Sequence, residues 1–337
     1  MKKITEAIVF PEKKKIDIRK VTIPDLKPRD VLIKIEYSGI SGGTERRCYT
    51  GMLNLPGKPP LAFPHVPGYQ AAGTVVEMGK NVKGLKPGDR VFTRNCRSPE
   101  NWQGSWWGGH VGYHTADAEG DVIKLDQGIS ALEASYLLLA QVGFNGASKP
   151  RVENGMTALI IGDGLVGQFA SQVLRSRGVH TILSGLCPER LALAEKYSAD
   201  EIHDNRNFDI VDAIKQRYSS GIDIVLETAS SQKTVLEGIA MLKKEGQLIL
   251  NGFYPYPYDS RLDWHWIRRK ELTLYFPDSR NRIRLYSTLK LLSSGEIIIA
   301  PLVTCTFPWE RAQEAYSMLL DSPEKYLGLV LDWTDFS

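Results

Sequence analysis

Between residues 31 and 37 apolar and polar positions alternate, with Val31, Ile33, Ile35 and Tyr37 on one side. This is the two-residue period of a strand buried on one face. Residues 71–77 and 89–93 read the same way, and residues 7–10 read as a further short strand. Turn formers punctuate this part of the chain at Pro28, Pro56-Gly57, Pro59-Pro60, Pro67-Gly68 and Pro87-Gly88. Residues 1 to about 125 therefore predict a turn-rich β domain. From residue 131 to 140 the pattern turns helical. Beyond Thr157 short apolar runs alternate with helical stretches: strands over 158–161, 180–184, 222–227 and 247–251, with helices over 188–197, 209–218 and 233–242. That spacing predicts a parallel sheet covered on both faces. A helix over 283–292, a strand over 302–306, a helix over 309–320 and a strand over 327–331 close the chain, and this tail is expected to return to the first domain.

The most informative stretch is residues 157–167, Thr-Ala-Leu-Ile-Ile-Gly-Asp-Gly-Leu-Val-Gly. A short apolar strand leads into Gly162, Gly164 and Gly167 at G-x-G-x-x-G spacing. A helix over 168–177 follows, with Phe169, Ala170, Val173 and Leu174 on one face. Strand, glycine turn and helix make a dinucleotide site: backbone approaches the pyrophosphate at Gly164, and the helix start offers unpaired N–H groups. Asp163, Leu165 and Val166 complete that turn.

Composition narrows the rest. With 337 residues, 42% hydrophobic and 24% charged, the chain is long enough for two domains. A net charge of +3 gives no reason to expect nucleic acid or a membrane surface as partner. There is no leader-like apolar segment and no run long enough to span a bilayer, so a cytoplasmic protein is expected. Cys48, Cys96, Cys187 and Cys305 form no C-x-x-C pair and are expected to be reduced thiols.

Several stretches resemble the medium-chain dehydrogenase/reductase superfamily, the alcohol dehydrogenase and quinone reductase group. Pro67-Gly68-Tyr69-Gln70 followed by Ala71-Ala72-Gly73-Thr74-Val75 is similar to its P-G-H-E-x-x-G-x-V. Residues 82–91, ending Gly88-Asp89-Arg90-Val91, are similar to V-x-x-x-x-x-G-D-R-V. Residues 38–45 stand where many members carry G-I-C-G-[ST]-D. Residues 223–229 and 246–252 resemble the later strands of the nucleotide domain. The likeness runs through nearly the whole chain. It implies an α/β protein with a GroES-like β-rich catalytic domain, residues 1–128 and 278–337, and a Rossmann doubly wound parallel-sheet nucleotide domain, residues 129–277. It also implies a homodimer. Residues 38–46, 66–70, 252–254 and 330–333 further resemble the branch that contains bacteriochlorophyllide hydroxyethyl dehydrogenase, so a tetrapyrrole substrate is one reading, by analogy only.

The departures from that pattern concern metal. Zinc-dependent members hold their catalytic ion with a Cys, a His and a third Cys, Asp or Glu; here those positions are Ser41, Tyr69 and Leu138, with Gln70 beside them. Serine, tyrosine and leucine do not make a zinc site of the usual kind. A structural zinc needs four clustered cysteines, and residues 94–109 contain only Cys96. No zinc is expected.

Selection of NAD usually rests on a carboxylate at the end of the second nucleotide-domain strand. Here that position is Gly185, and Ser184 and Arg190 could bind a ribose phosphate, so NADP(H) is expected. The resemblance adds Thr228, Ala229, Asn251, Gly252 and Phe253 to the cofactor side. Without zinc, the alkoxide charge of a carbonyl/alcohol hydride transfer needs hydrogen-bond donors and a proton donor. Tyr69 is the first candidate, with Ser41 as relay and Glu45 as acid or substrate anchor. The bland reading of Glu45 is a helix cap or a surface partner of Arg46 or Arg47. On the small-molecule substrate side stand His65, Trp106, Trp107, Asn145, Tyr254 and Phe276. The same residues allow a quinone or enone reductase, or a nucleotide-binding sensor or interaction subunit without chemistry.

Overall fold

A computed structural model of the protein describes residues 3–55, 61–97, 108–207, 209–254, 262–278 and 281–336. The chain begins β1 (Ile4–Val9), β2 (Asp17–Thr22), β3 (Asp30–Ile40), α1 (Gly42–Tyr49), β4 (Ala71–Met78), β5 (Arg90–Thr93), β6 (Tyr113–Asp117), β7 (Val122–Lys124), α2 (Ala131–Ala134) and α3 (Leu137–Ala147). Alternation of strand and helix follows: β8 (Thr157–Ile161), α4 (Leu165–Ser176), β9 (His180–Gly185), α5 (Pro188–Tyr197), β10 (Glu201–Asp204), α6 (Ile210–Arg217), β11 (Ile222–Glu227), α7 (Gln232–Met241), β12 (Leu242–Leu250), α8 (Trp264–Arg269) and β13 (Thr273–Tyr275). The chain closes with α9 (Arg282–Ser293), β14 (Val303–Pro308), α10 (Ala312–Asp321) and β15 (Gly328–Asp332). It divides into two compact units: Met1–Leu138 with Val303–Ser337, and Leu139–Leu302.

The first unit is built on β3. Its Val31, Ile33 and Ile35 are buried, as the alternation requires, whereas Tyr37 is only half-buried. The strand lies in a seven-stranded sheet of order β14-β15-β3-β4-β5-β7, and β6 also pairs with β3. β15 runs antiparallel to β3, pairing Leu329 with Ile40 and Leu331 with Ser38, so the tail does return to this sheet. The helix expected over 131–140 is two helices. Ser130 and Glu133 form a reciprocal cap on α2. The chain then breaks at Tyr136, whose buried hydroxyl donates to the carbonyls of Ile40 and Leu329 and accepts from Leu329 N–H at 2.7 Å.

The second unit is a six-stranded parallel sheet of order β10-β9-β8-β11-β12-β13. Chain order runs outward from β8 to one edge and then from β11 to the other. The reversal between β8 and β11 is the switch point where such sheets bind ligands, beyond the strands' carboxyl ends. Thr157–Ile161 is buried throughout. Leu159, Ile161, Ile182, Val225, Ile239 and Leu248 share one core cluster.

Candidate active site and nucleotide site

The glycine turn sits at that switch point. Gly164 is the N-cap of α4, and a side chain there would meet nothing within 4 Å, which leaves room for a bound group. At Gly167 a Cβ would lie 2.0 Å from the carbonyl oxygen of Gly162, so only glycine lets α4 start against β8. Leu165 and Val166 form the first turn of α4, which carries no acidic residue. Gln168 latches the turn: its amide donates to the carbonyls of Asp163 (3.2 Å) and Arg190 (3.0 Å). Thr228 closes the turn from β11, its N–H and hydroxyl both donating to Ile161 O.

The end of β9 differs from expectation. Gly185 contributes no carboxylate, but Asp163 reaches over from the glycine turn and supplies one. Its Oδ2 accepts the N–H groups of Leu186 and Cys187, both at 2.8 Å. Its Oδ1 lies 3.3 Å from Arg190 Nη1. Arg190 is therefore ion-paired rather than standing ready for a phosphate. The Ser184 hydroxyl is turned inward, fully buried and donating to Ile160 O. The strand end that the sequence leaves open beside Ser184 and Arg190 thus carries the Asp163 carboxylate.

Other expected residues fall around the ends of β11 and β12. Glu227 is buried and accepts from the hydroxyls of Thr234 and Tyr254 and from Ser230 N–H. Burial raises its pKa, and those hydrogen bonds pull it partly back. The Tyr254 phenol is thus committed to Glu227. Ala229 follows Thr228 in the same turn, its backbone near enough to Glu227 to favour the ionised carboxylate. Asn251 N–H donates to Glu227 O, and its side chain donates to Val142 O. A Cβ at Gly252 would meet Ser230 Oγ at 2.4 Å, and Phe253 follows, half-buried. Phe276 is exposed, just past β13. Asn145 donates to Asp278 O while its Oδ1 has no partner among the described residues. Gln141, one turn earlier on α3, is fully buried with neither amide atom partnered among the described residues. Trp106 and Trp107 lie outside the described residues.

In the first unit Ser41 is the N-cap of α1, and its hydroxyl makes no capping bond. Glu45, in that helix's first turn, is fully buried, not paired at the surface with Arg46 or Arg47. One carboxylate oxygen accepts Ser41 N–H at 2.9 Å. The other meets His110 Nε2 at 2.9 Å and the Tyr316 hydroxyl. His110 Nδ1 lies 2.8 Å from Ser38 Oγ, which also accepts from Trp333 Nε1 at 2.9 Å. The donors close in one direction: Trp333 to Ser38, Ser38 to His110, then His110, Tyr316 and Ser41 N–H to the Glu45 carboxylate. Burial holds the Tyr316 phenol well above its ordinary pKa, and the nearby carboxylate adds to this, so it stays a donor. Both Glu45 oxygens are thereby occupied, which makes Glu45 a positioning residue. The His110 ring also packs on Gly68, the residue before Tyr69, and Gly109 N–H donates to Gly68 O. Tyr69 itself is buried and close enough to Tyr136 to affect its ionisation. His65 is buried with its backbone paired in both directions to Phe10. His110, Tyr316, Ser38 and Trp333 were not picked out from the sequence. They lie far apart along the chain; Ser38 and Trp333 fell in stretches quoted for the resemblance, but with no role attached.

Ser41, Tyr69 and Leu138, the positions that the resemblance assigns to the metal's ligands, offer two hydroxyl groups and an apolar side chain, and the Glu45 carboxylate and His110 imidazole are bound to each other. Among the described residues no three His, Cys, Asp or Glu side chains cluster as a metal site requires.

A parallel sheet with a glycine turn at its switch point, on a chain whose other unit is a largely antiparallel sheet, is the arrangement of the two-domain dehydrogenases. Comparison agrees: residues 27–127 match the alcohol dehydrogenase GroES-like domain, and residues 166–294 match the zinc-binding dehydrogenase domain. The chain is 29% identical over 98% of both sequences to the 2-desacetyl-2-hydroxyethyl bacteriochlorophyllide A dehydrogenase of Cereibacter sphaeroides. It is 30% identical to an alcohol dehydrogenase of Rhizobium meliloti, over 75% of this chain and 78% of that one. A solved dehydrogenase structure from Sinorhizobium meliloti with NADP bound superposes with TM-score 0.84 at 21% identity, over 98% of this chain and 99% of that one. The protein belongs to the zinc-type alcohol dehydrogenase family of the medium-chain dehydrogenase/reductase superfamily.

Proposed function

We propose that the protein is an oxidoreductase that transfers a hydride between nicotinamide C4 and a carbonyl/alcohol pair of a small molecule without a catalytic zinc. The observation that carries this reading is the replacement of the metal's donors by Ser41 and Tyr69, held in place by a buried hydrogen-bonded assembly. Glu45 fixes the Ser41 backbone, and His110 packs beneath the turn that presents Tyr69. Hydride addition to a carbonyl leaves negative charge on oxygen. The Tyr69 phenol supplies the proton, and the Ser41 hydroxyl, unused in capping, hydrogen-bonds the same oxygen. The glycine turn from Gly162 to Gly167 and the N–H groups at the start of α4 would hold the phosphates of a nicotinamide dinucleotide, which would supply the hydride. We also read the protein as a homodimer. Support comes from β13, an edge strand of the second unit, and from exposed Trp264, Trp266, Phe276, Ile283 and Tyr286 in that unit.

The test is a panel of ketones, aldehydes, secondary alcohols and enones with NADH and NADPH, run with and without a chelator, alongside metal analysis of the protein. Carbonyl reduction or alcohol oxidation indifferent to the chelator is expected. Tyr69→Phe should lower kcat by about 10²-fold or more, the scale of general acid catalysis. Stoichiometric zinc with activity lost on chelation would refute the proposal. Turnover of enones alone would transfer the chemistry to C=C reduction.

A further inference from the structure

We propose that Asp163, the second residue of the glycine turn, is the group that reads the adenosine ribose of the nucleotide, and that it selects NADH over NADPH. This rests on the nicotinamide-dependent reading above and makes it specific.

The geometry begins at Gly185. A Cβ built there would lie 2.4 Å from Asp163 Oδ2 and 2.5 Å from Asp163 Cβ. A side chain at 185 and the carboxylate of Asp163 therefore compete for one volume. The strand end is not stripped of negative charge; the charge arrives from the neighbouring turn, and glycine at 185 makes the space for it. The carboxylate is built in. It is mostly buried, one oxygen holds the two N–H groups that lead into α5, and its position at that helix start favours an anion. Among the described residues the second oxygen has only the long contact to Arg190, so it retains an acceptor for a ribose 2′-hydroxyl.

The surrounding charges point the same way. Asp204 is the register partner of Gly185 on β10, and its carboxylate pairs with Arg206 at 2.6 Å. The Glu189 carboxylate also lies within reach of Arg206. Two arginines thus face three carboxylates, Asp163, Asp204 and Glu189. A 2′-phosphate brought to this strand end would have to displace Asp163 from Arg190 and sit beside an anion. A 2′-hydroxyl needs only to donate to it.

The measurement is binding, by quenching of tryptophan fluorescence in the purified full-length protein titrated with NADH and with NADPH. The wild type should bind NADH about tenfold or more tightly than NADPH. Asp163→Asn should lower that ratio about tenfold or more, weakening NADH and strengthening NADPH as Arg190 is released. The double variant Asp163→Ala, Gly185→Asp moves the carboxylate to the strand and should restore the preference for NADH; it also guards against loss of preference through a disturbed turn. Circular dichroism checks the fold of each variant. NADPH binding as tightly as NADH in the wild type, or an unchanged ratio in Asp163→Asn, would overturn the assignment and leave nicotinamide use standing. Binding of neither nucleotide would overturn both.

Discussion

Replacing Glu45 by glutamine changes one oxygen into an amide nitrogen and nothing in size, so it isolates the hydrogen-bond logic of the buried assembly. The carboxylate accepts from three donors: Ser41 N–H, His110 Nε2 and the Tyr316 hydroxyl. Glutamine offers one oxygen and two further hydrogens. If its nitrogen faces Ser41, two N–H groups point at each other and neither can turn away. If it faces His110 and Tyr316, both must reverse their roles, and the reversal at His110 pushes a hydrogen toward Ser38, which Trp333 already donates to. At least one buried donor is left unmatched, and the charge-assisted bonds become neutral. The cost is about 3–5 kcal/mol, the range for breaking a fully buried pair. For a folding unit of this size each kcal/mol moves the midpoint by roughly 2–4 °C, so the melting temperature should fall by about 6–20 °C. Thermal unfolding followed by circular dichroism measures it. Tyr316→Phe removes a single donor and should cost less, about 1–2 kcal/mol. The double variant should show less than the sum, because both changes act on the same carboxylate. A Glu45→Gln protein melting within about 2 °C of the wild type would refute the reasoning.

Two other perturbations follow from single sites. His114 is fully buried with neither ring nitrogen partnered among the described residues, and burial pushes its pKa down to about 3. The unfolded chain takes up a proton near the ordinary value of 6.5 that the folded chain refuses. Stability therefore drops as pH falls from about 6.5 toward 3, by up to about 1.4 kcal/mol per pH unit from this group, which contributes nothing above that window. His114→Leu should remove that slope from urea midpoints measured between pH 7 and 4; an identical slope in the variant rejects the account. Gly167→Ala places a methyl group 2.0 Å from the Gly162 carbonyl, so α4 must move off β8. Nucleotide affinity should fall by about tenfold or more in titration calorimetry, and unchanged affinity would mean that the turn does not carry the pyrophosphate.

Elements were legible where one rule governed a whole segment. The alternation at residues 31–37 gave β3, and the apolar runs and glycine turn gave β8, α4 and the parallel sheet. The stretches that were missed are short or carry their pattern elsewhere. β13 has three residues, and α1 opens on two glycines and gains its burial from Glu45, Cys48 and Tyr49. The site was half legible. Position alone marked Ser41, Tyr69 and Glu45, yet Glu45 also read as a helix cap or a surface residue. Its true environment depends on His110 and Tyr316, whose sequence separations of 65 and 271 residues leave no local signal. The strand end failed differently. Gly185 was read from its own strand, whereas the carboxylate comes from a residue 22 positions earlier whose side chain direction no periodicity reveals.

The first unit takes residues from both ends of the chain, and this bears on the order in which the protein is made. Tyr316 and Trp333 are the last members of the Glu45 assembly to leave the ribosome, while Ser38, Glu45 and His110 emerge long before. The second unit is one continuous segment and is complete as soon as Leu302 has been synthesised. At roughly 5–20 residues per second, Glu45 and His110 wait on the order of ten seconds or more for their partners. During that interval the nascent chain carries a carboxylate and an imidazole in a sheet that still lacks β15 as the neighbour of β3. A stop codon a few dozen residues early would remove Tyr316 and Trp333 and strand it in that state.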